Sequence, residues 1–299
     1  MERDKVKPHY ILITSMNFPR GGAGANYLNL FCRGLKANGC TADVILLKGH
    51  AFGNFKYKGP RKNMTEEGIP YRYLGFKQRP DNAFLKLFEE FISICHLIIY
   101  LFSLINRSEP YKFLIFNSEL QYNIPVLAFS RIFRKKVIKF VAEIIDKSEF
   151  SNSVFGRIKR RGYNFNYKHL NTKSDKLLVF SLYLRDFYVN LGYDVKKIMV
   201  QPNLTDFDYW KPEHKEIRYT IGYSGAPYLK DGLHDLFKAI SLLNDKDLNI
   251  SLLVIGDATF GKSLIPSLKD ECANLGISEK IFFTGLVELS MVKQYLSEC

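Results

Sequence analysis

The feature that most restricts how this chain folds is its opening alternation of short apolar runs with helical spacing around a glycine loop. HYILIT at 9–14 leads through NFPRGGAGANY into LNLFCRGLKANG, which places Leu28, Phe31 and Leu35 on one helical face and Gly39 at its end. ADVILLKG then reads as the next strand. Strand, glycine loop, helix and strand in this order build parallel sheets with crossover helices.

The same grammar continues. A loop rich in Gly, Lys and Asn covers 49–68, a strand surrounds 71–74, and a long helix starts at Ala83. KFLIFNS at 112–118, VIKFVAEI at 137–144, DKLLVFS at 175–181 and KIMVQPN at 197–203 read as further strands, with a helix near 124–133. Seven strands predict one doubly wound α/β domain over 1–205. DFDYWKPEHKEIR reads as a polar linker, 206–218, carrying the only tryptophan, Trp210. A second series over 219–299 holds YTIGYSG, NISLLVIGD and KIFFTGLV with helices at 232–243, 264–275 and from Leu289. Three strands leave a hydrophobic sheet edge uncovered, so the expectation is a truncated or unusually small second domain.

The length of 299 residues agrees with roughly two domains, and 46% hydrophobic with 24% charged residues excludes disorder. Charge is uneven: 1–205 carries +17 and 206–299 carries −4. A basic first half suits an anionic partner such as a lipid surface, a phosphorylated substrate or nucleic acid. The cysteines Cys32, Cys40, Cys95, Cys272 and Cys299 have no CxxC spacing, which argues against a zinc site or disulfide framework. MERDKVKPHY lacks the apolar core of a signal peptide, so the cytoplasm is the expected location. FISICHLIIYLFSLI, 91–105, falls short of the roughly 20 apolar residues that span a bilayer and reads as a buried or interfacial helix.

Several loops carry candidate chemistry. Gly21, Gly22, Ala23 and Gly24 lie between strand and helix, where backbone N–H groups can meet an anion, although a tight turn would also use them. A dinucleotide is disfavoured because the second strand ends in Leu47-Lys48 and offers no acid for a ribose. GDATFGKS, 256–263, matches the phosphate loop of nucleoside triphosphatases, but no later strand ends in the aspartate that would organise Mg²⁺. IGYSGAPYLKDG ends a strand with Ser224, Gly225 and Lys230 ahead of a helix, which suits a diphosphate or simply a solvated turn. Lys159, Arg160 and Arg161 beside Phe155 and Tyr163 could meet anionic head groups. RRGYNFNYKH interleaves basic and aromatic residues as a nucleic-acid surface would, but with helical spacing.

Taken together, the glycine loop with NLFCRGLKANGCTADVILL, the stretch KLLVFSLYLRDFYVNLGYDVKKIMVQPNLTDFDYW, and KDGLHDLFKAISLL with LLVIGDATF and KIFFTGLV resemble a family 4 retaining glycosyltransferase of the GT-B type. The resemblance runs over nearly the whole chain. It implies two Rossmann-like domains facing across a cleft, an acceptor-binding first and a donor-binding second domain, and no required metal or other cofactor.

By that resemblance, Gly21 and Gly22 line the cleft near the donor diphosphate, and Lys230 meets the diphosphate as a catalytic residue. Gly256 and Asp257 match the glycine turn beside the donor pocket, while Gly285, Leu286 and Val287 match the segment touching the base. Ser181 and Asn203 hold recurrent positions near the hinge. Tyr223, Ser224 and Gly225 stand where the family often has an arginine. Ala142 and Glu143 stand where it often has a histidine, making Glu143 a candidate for contacting sugar hydroxyls. The family's paired glutamates do not occur before Cys299, so truncation of the donor domain is expected.

The reading is therefore transfer of a sugar from a nucleotide-diphosphate donor to a saccharide or lipid-linked acceptor in surface polysaccharide synthesis, in the cytoplasm or peripherally at the inner membrane face. A nucleoside triphosphatase using 256–263 and a basic nucleic-acid-binding protein are the alternatives.

Overall fold

His9–Thr14 forms β1, the centre of the larger sheet: Ile11, Leu12, Ile13 and Thr14 are all fully buried, because helices cover both faces of a parallel strand. The computed structural model describes residues 8–51, 57–116, 119–145, 150–211, 216–244, 246, 248, 250–258 and 262–299. After β1 come α1 (Ala23–Ala37), β2 (Thr41–Leu46), β3 (Lys62–Met64), β4 (Pro70–Tyr73) and α2 (Ala83–Ser103). They are followed by β5 (Tyr111–Phe116), α3 (Leu120–Ile132), β6 (Lys136–Val141), α4 (Val154–Phe165), β7 (Lys176–Val179), α5 (Leu182–Asn190) and β8 (Ile198–Val200).

Among the described residues these strands form one sheet in the order β3-β4-β2-β1-β5-β6-β7-β8. All neighbours are parallel except β3, which pairs antiparallel with β4. Leu12 lies between Val44 of β2 and Leu114 of β5, so the strand order reverses at β1. β3 interrupts the stretch 49–68 read from sequence as loop; its residues, Lys-Asn-Met, are all exposed at the sheet edge and carry no apolar pattern. The strand expected over 197–203 is shorter than read, since Pro202 has no N–H to continue a ladder.

Successive side chains divide between the two faces. Ile11, Ile13, Phe113, Ile115 and Val137 pack beneath α2 and α3, and Val141, Leu177 and Val179 beneath α4 and α5. Leu12, Val44, Leu46, Leu114 and Phe116 meet Tyr27, Leu28 and Cys32 of α1 on the other side. α1 closes with Gly39 at φ 72°: its N–H donates to the Lys36 carbonyl and the Cys40 N–H to that of Leu35, both at 2.9 Å. α3 ends the same way with Arg134, at φ 52°, in the glycine position.

The chain separates into two compact units, Met1–Leu204 and Thr205–Cys299. The second contains β9 (Ile221–Ser224), α6 (Leu233–Asn244), β10 (Leu252–Ile255), α7 (Ile265–Asn274), β11 (Ile281–Gly285) and α8 (Leu289–Leu296). Its strands form a parallel sheet in the order β11-β10-β9. Leu252 and Val254 of the fully buried β10 meet Phe237 and Ile240 of α6 and Leu268 and Cys272 of α7.

Candidate functional site

In a parallel sheet flanked by helices, ligands gather beyond the carboxyl ends of the strands, where the order reverses. The first unit has a cavity of about 650 Å³ at that place, over the ends of β1, β5 and β6. Met16, Phe116, Glu119, Phe140, Glu143 and Lys159 are among its walls. Glu143 follows β6 with its side chain exposed, and its backbone carbonyl accepts a hydrogen bond from the Tyr167 hydroxyl. Tyr167 lies in a π-turn, Asn166–Leu170, that continues α4, and its hydroxyl also meets that of Tyr163 at 2.7 Å.

Behind the cavity runs a network of charged side chains. The Lys48 ammonium, just past β2, pairs with Glu119 at the start of α3 and lies 3.3 Å from Glu90 of α2. Arg79 reaches Glu89 and Glu90, each at 3.4 Å. Fully buried Glu89 accepts the Gly49 N–H at 2.6 Å; burial pushes its carboxyl up, against the Gly49 bond and the nearby Arg79 and Lys48. Lys139 on β6 is buried too, and burial pushes its ammonium down to about 7, opposed by the Glu119 charge. The network holds Glu119 at the cavity wall.

The residues read from sequence in this unit follow strand ends. Gly22 begins α1 with no side chain capping it, and a Cβ on Gly21 would lie 2.8 Å from that of Asn17, so close packing alone requires glycine there. Ser181 caps α5, accepting the Leu184 N–H at 3.3 Å. Asn203 is exposed beyond β8.

In the second unit the three strand ends meet through glycines. The Gly225 N–H donates to the Ile255 carbonyl at 3.0 Å, and the Gly256 N–H to that of Gly285 at 3.1 Å. Gly225, Gly256 and Gly285 thus form a row without side chains across the sheet edge. Ser224 and Leu286 beside it are exposed and Val287 is half-buried. Lys230 belongs to a 3-10 turn, Leu229–Asp231, ahead of α6; its side chain lies outside the described residues. Asp257 accepts the N–H groups of Ala258 at 2.7 Å and Leu264 at 2.9 Å. Burial pushes its carboxyl up, but Ser263 and the backbone N–H groups of Leu264, Ala258 and Ile265 outweigh that and hold it low.

No protein-family model matches the sequence, and no curated protein does. Solved structures do. HepE of Anabaena, in complex with UDP, is similar over 97% of this chain and 72% of that one, at 14% identity and a TM-score of 0.62. A glycosyltransferase from Rickettsia africae covers 97% and is covered to 70%, at 15% identity and 0.61. WaaG, a glycosyltransferase involved in lipopolysaccharide biosynthesis, gives 95%, 72%, 11% and 0.59. This chain has the GT-B fold.

Within the GT-B frame, two other readings of the sequence lose their footing. At the match to a phosphate loop, the Ala258 and Leu264 N–H groups donate to the Asp257 carboxylate and the Ile265 N–H, which opens α7, to the Ser263 hydroxyl; residues 259–261 lie outside the described residues. In RRGYNFNYKH, Tyr163 and Tyr167 are buried against β6 and β7, so this alternation supplies no continuous stacking surface.

Sequence reasoning missed Glu119 and Lys139 as members of the site. The available signal was Lys139 itself, a lysine inside the otherwise apolar VIKFV.

Proposed function

We propose that this chain is a retaining glycosyltransferase of the family 4 kind, moving a sugar, such as a hexose, from a nucleotide-diphosphate donor to a saccharide or lipid-linked acceptor of surface polysaccharide synthesis, in the cytoplasm. The observation that carries the reading is the row of Gly225, Gly256 and Gly285, which leaves three adjacent strand ends open for a flat ligand to lie against the backbone. The GT-B fold, shared with a HepE structure containing UDP-glucose, supports it.

On this reading the leaving diphosphate gathers negative charge as the glycosidic bond breaks. Lys230 and nearby backbone amides stabilise that charge more in the transition state than in the ground state, an effect of about 3 kcal/mol per donor. Leu286 and Val287 border the base. In the first unit, Glu119 and Glu143 offer carboxylates to sugar hydroxyls, and Phe116 and Phe140 offer apolar faces to the ring.

Calorimetric titration with UDP, GDP and ADP in the presence of EDTA tests the donor site. One nucleotide should bind, and Lys230→Ala should weaken it and lower turnover of the matching nucleotide sugar at least tenfold. Failure of all three to bind, or turnover of ATP that requires Mg²⁺, overturns the reading.

A further inference from the structure

Helix α2 is apolar on both of its sides. Its inward side presents Glu89 and Ser93, both fully buried, beside Leu97, Tyr100 and Leu101. Its outward side presents Phe84, Leu87, Phe88, Phe91, Ile99 and Phe102, with Phe84 75% exposed and Phe91 64% exposed. Phe84, Leu87, Phe88 and Phe91 follow at three- and four-residue spacing, and Ile99 and Phe102 carry the same side on beyond half-buried Cys95, so they form a stripe of about 30 Å. Exposed apolar surface on that scale marks a contact with something else.

Charge identifies the occupant. α2, α3 and α4 cover the same face of the sheet, with α3 touching both of the others. Glu89 and Glu90 are the only acids within these three helices, and Glu89 pairs with Arg79 and Glu90 with Arg79 and Lys48. The cations stay outside: Arg131 on α3 and Arg157, Lys159 and Arg161 on α4 are exposed, the last three around exposed Phe155 and Ile158. No helix among the described residues is long and apolar enough to cross a membrane. An apolar stripe beside acid-free basic helices has the chemistry of a segment lying flat in a negatively charged lipid interface.

We infer that α2 docks on an anionic bilayer, with Phe84, Leu87, Phe91, Ile99 and Phe102 among the acyl chains and the basic residues of α3 and α4 against the head groups. The inference stands apart from glycosyl transfer, because lipid binding is read without any donor or acceptor.

The test is co-sedimentation of the whole chain with vesicles of phosphatidylcholine alone and of equal parts phosphatidylcholine and phosphatidylglycerol. The protein should sediment with the second and not the first, and rising salt should release it. Phe91→Ser with Phe102→Ser should lower partitioning at least tenfold, as should Arg157→Gln with Arg161→Gln, with circular dichroism unchanged since all four side chains are exposed. Sedimentation with neither vesicle, or equally with both, overturns the inference. So does a dimer in light scattering that the phenylalanine pair abolishes, since a second copy would then own the stripe.

Discussion

Gly256 and Gly225 are in backbone contact: a Cβ on Gly256 would lie 2.4 Å from the Gly225 carbonyl oxygen, and φ at Gly256 is 120°. Neither the clash nor the dihedral tolerates a side chain, and the neighbour is backbone that cannot swing aside. Gly256→Ala should therefore destabilise the second unit by about 2 kcal/mol or more and abolish nucleotide binding. Trp210 belongs to that unit, so its fluorescence in a denaturant titration reads the loss directly.

Arg134 occupies a left-handed position that Gly39, Gly192 and Gly276 fill at the ends of other helices. Its N–H donates to the Arg131 carbonyl and the Lys135 N–H to that of Ser130, so the helix end has its full pair of closing bonds despite the strain. Arg134→Gly should stabilise the protein by about 1 kcal/mol, and Gly192→Ala should cost a similar amount. Thermal melts followed by circular dichroism should move in opposite directions; a lower midpoint for the glycine variant would refute the strain.

Lys139 predicts a pH dependence of stability. Burial brings its folded-state value to about 7, below the ordinary lysine range near 10.4. Between those limits the unfolded chain holds the extra proton, so unfolding free energy should rise with pH by up to about 1.4 kcal/mol per unit from this one group. Lys139→Met removes that slope and should gain most where the buried ammonium is charged, below pH 7. Urea titrations of both proteins between pH 6 and 10 would measure the difference; parallel curves would refute it.

Asp257 closes its own loop, so its role is tested by stability as well as by binding. Asp257→Ala strands the Ala258 and Leu264 N–H groups, at a cost of about 2 kcal/mol to the second unit. The carboxyl is held low in the folded state, so the stability it adds is present above the unfolded value near 3.9 and is lost as pH falls through the folded one. Acid unfolding followed at Trp210 should lose that component in the variant. An unchanged acid midpoint would contradict the prediction.

Much of the architecture was legible because buried parallel strands are written as unbroken apolar runs. β1, β5 and β10 stand out in the sequence for that reason, and the glycines at strand ends stand out because the chain cannot turn there with side chains. β3 was invisible, since three exposed residues at a sheet edge need no hydrophobic pattern. The ionic network was invisible for another reason: Lys48 and Glu119 are joined by the adjacency of β2, β1 and β5, not by local spacing. Only Lys139 broke a local rule.

Glu89 has one further consequence. Its bond to the Gly49 N–H keys α2 to the loop beyond β2, as a pin keys a shaft. The roll angle of the helix is thereby set from within the first unit, and the orientation of its phenylalanines is settled before any outer surface reaches them.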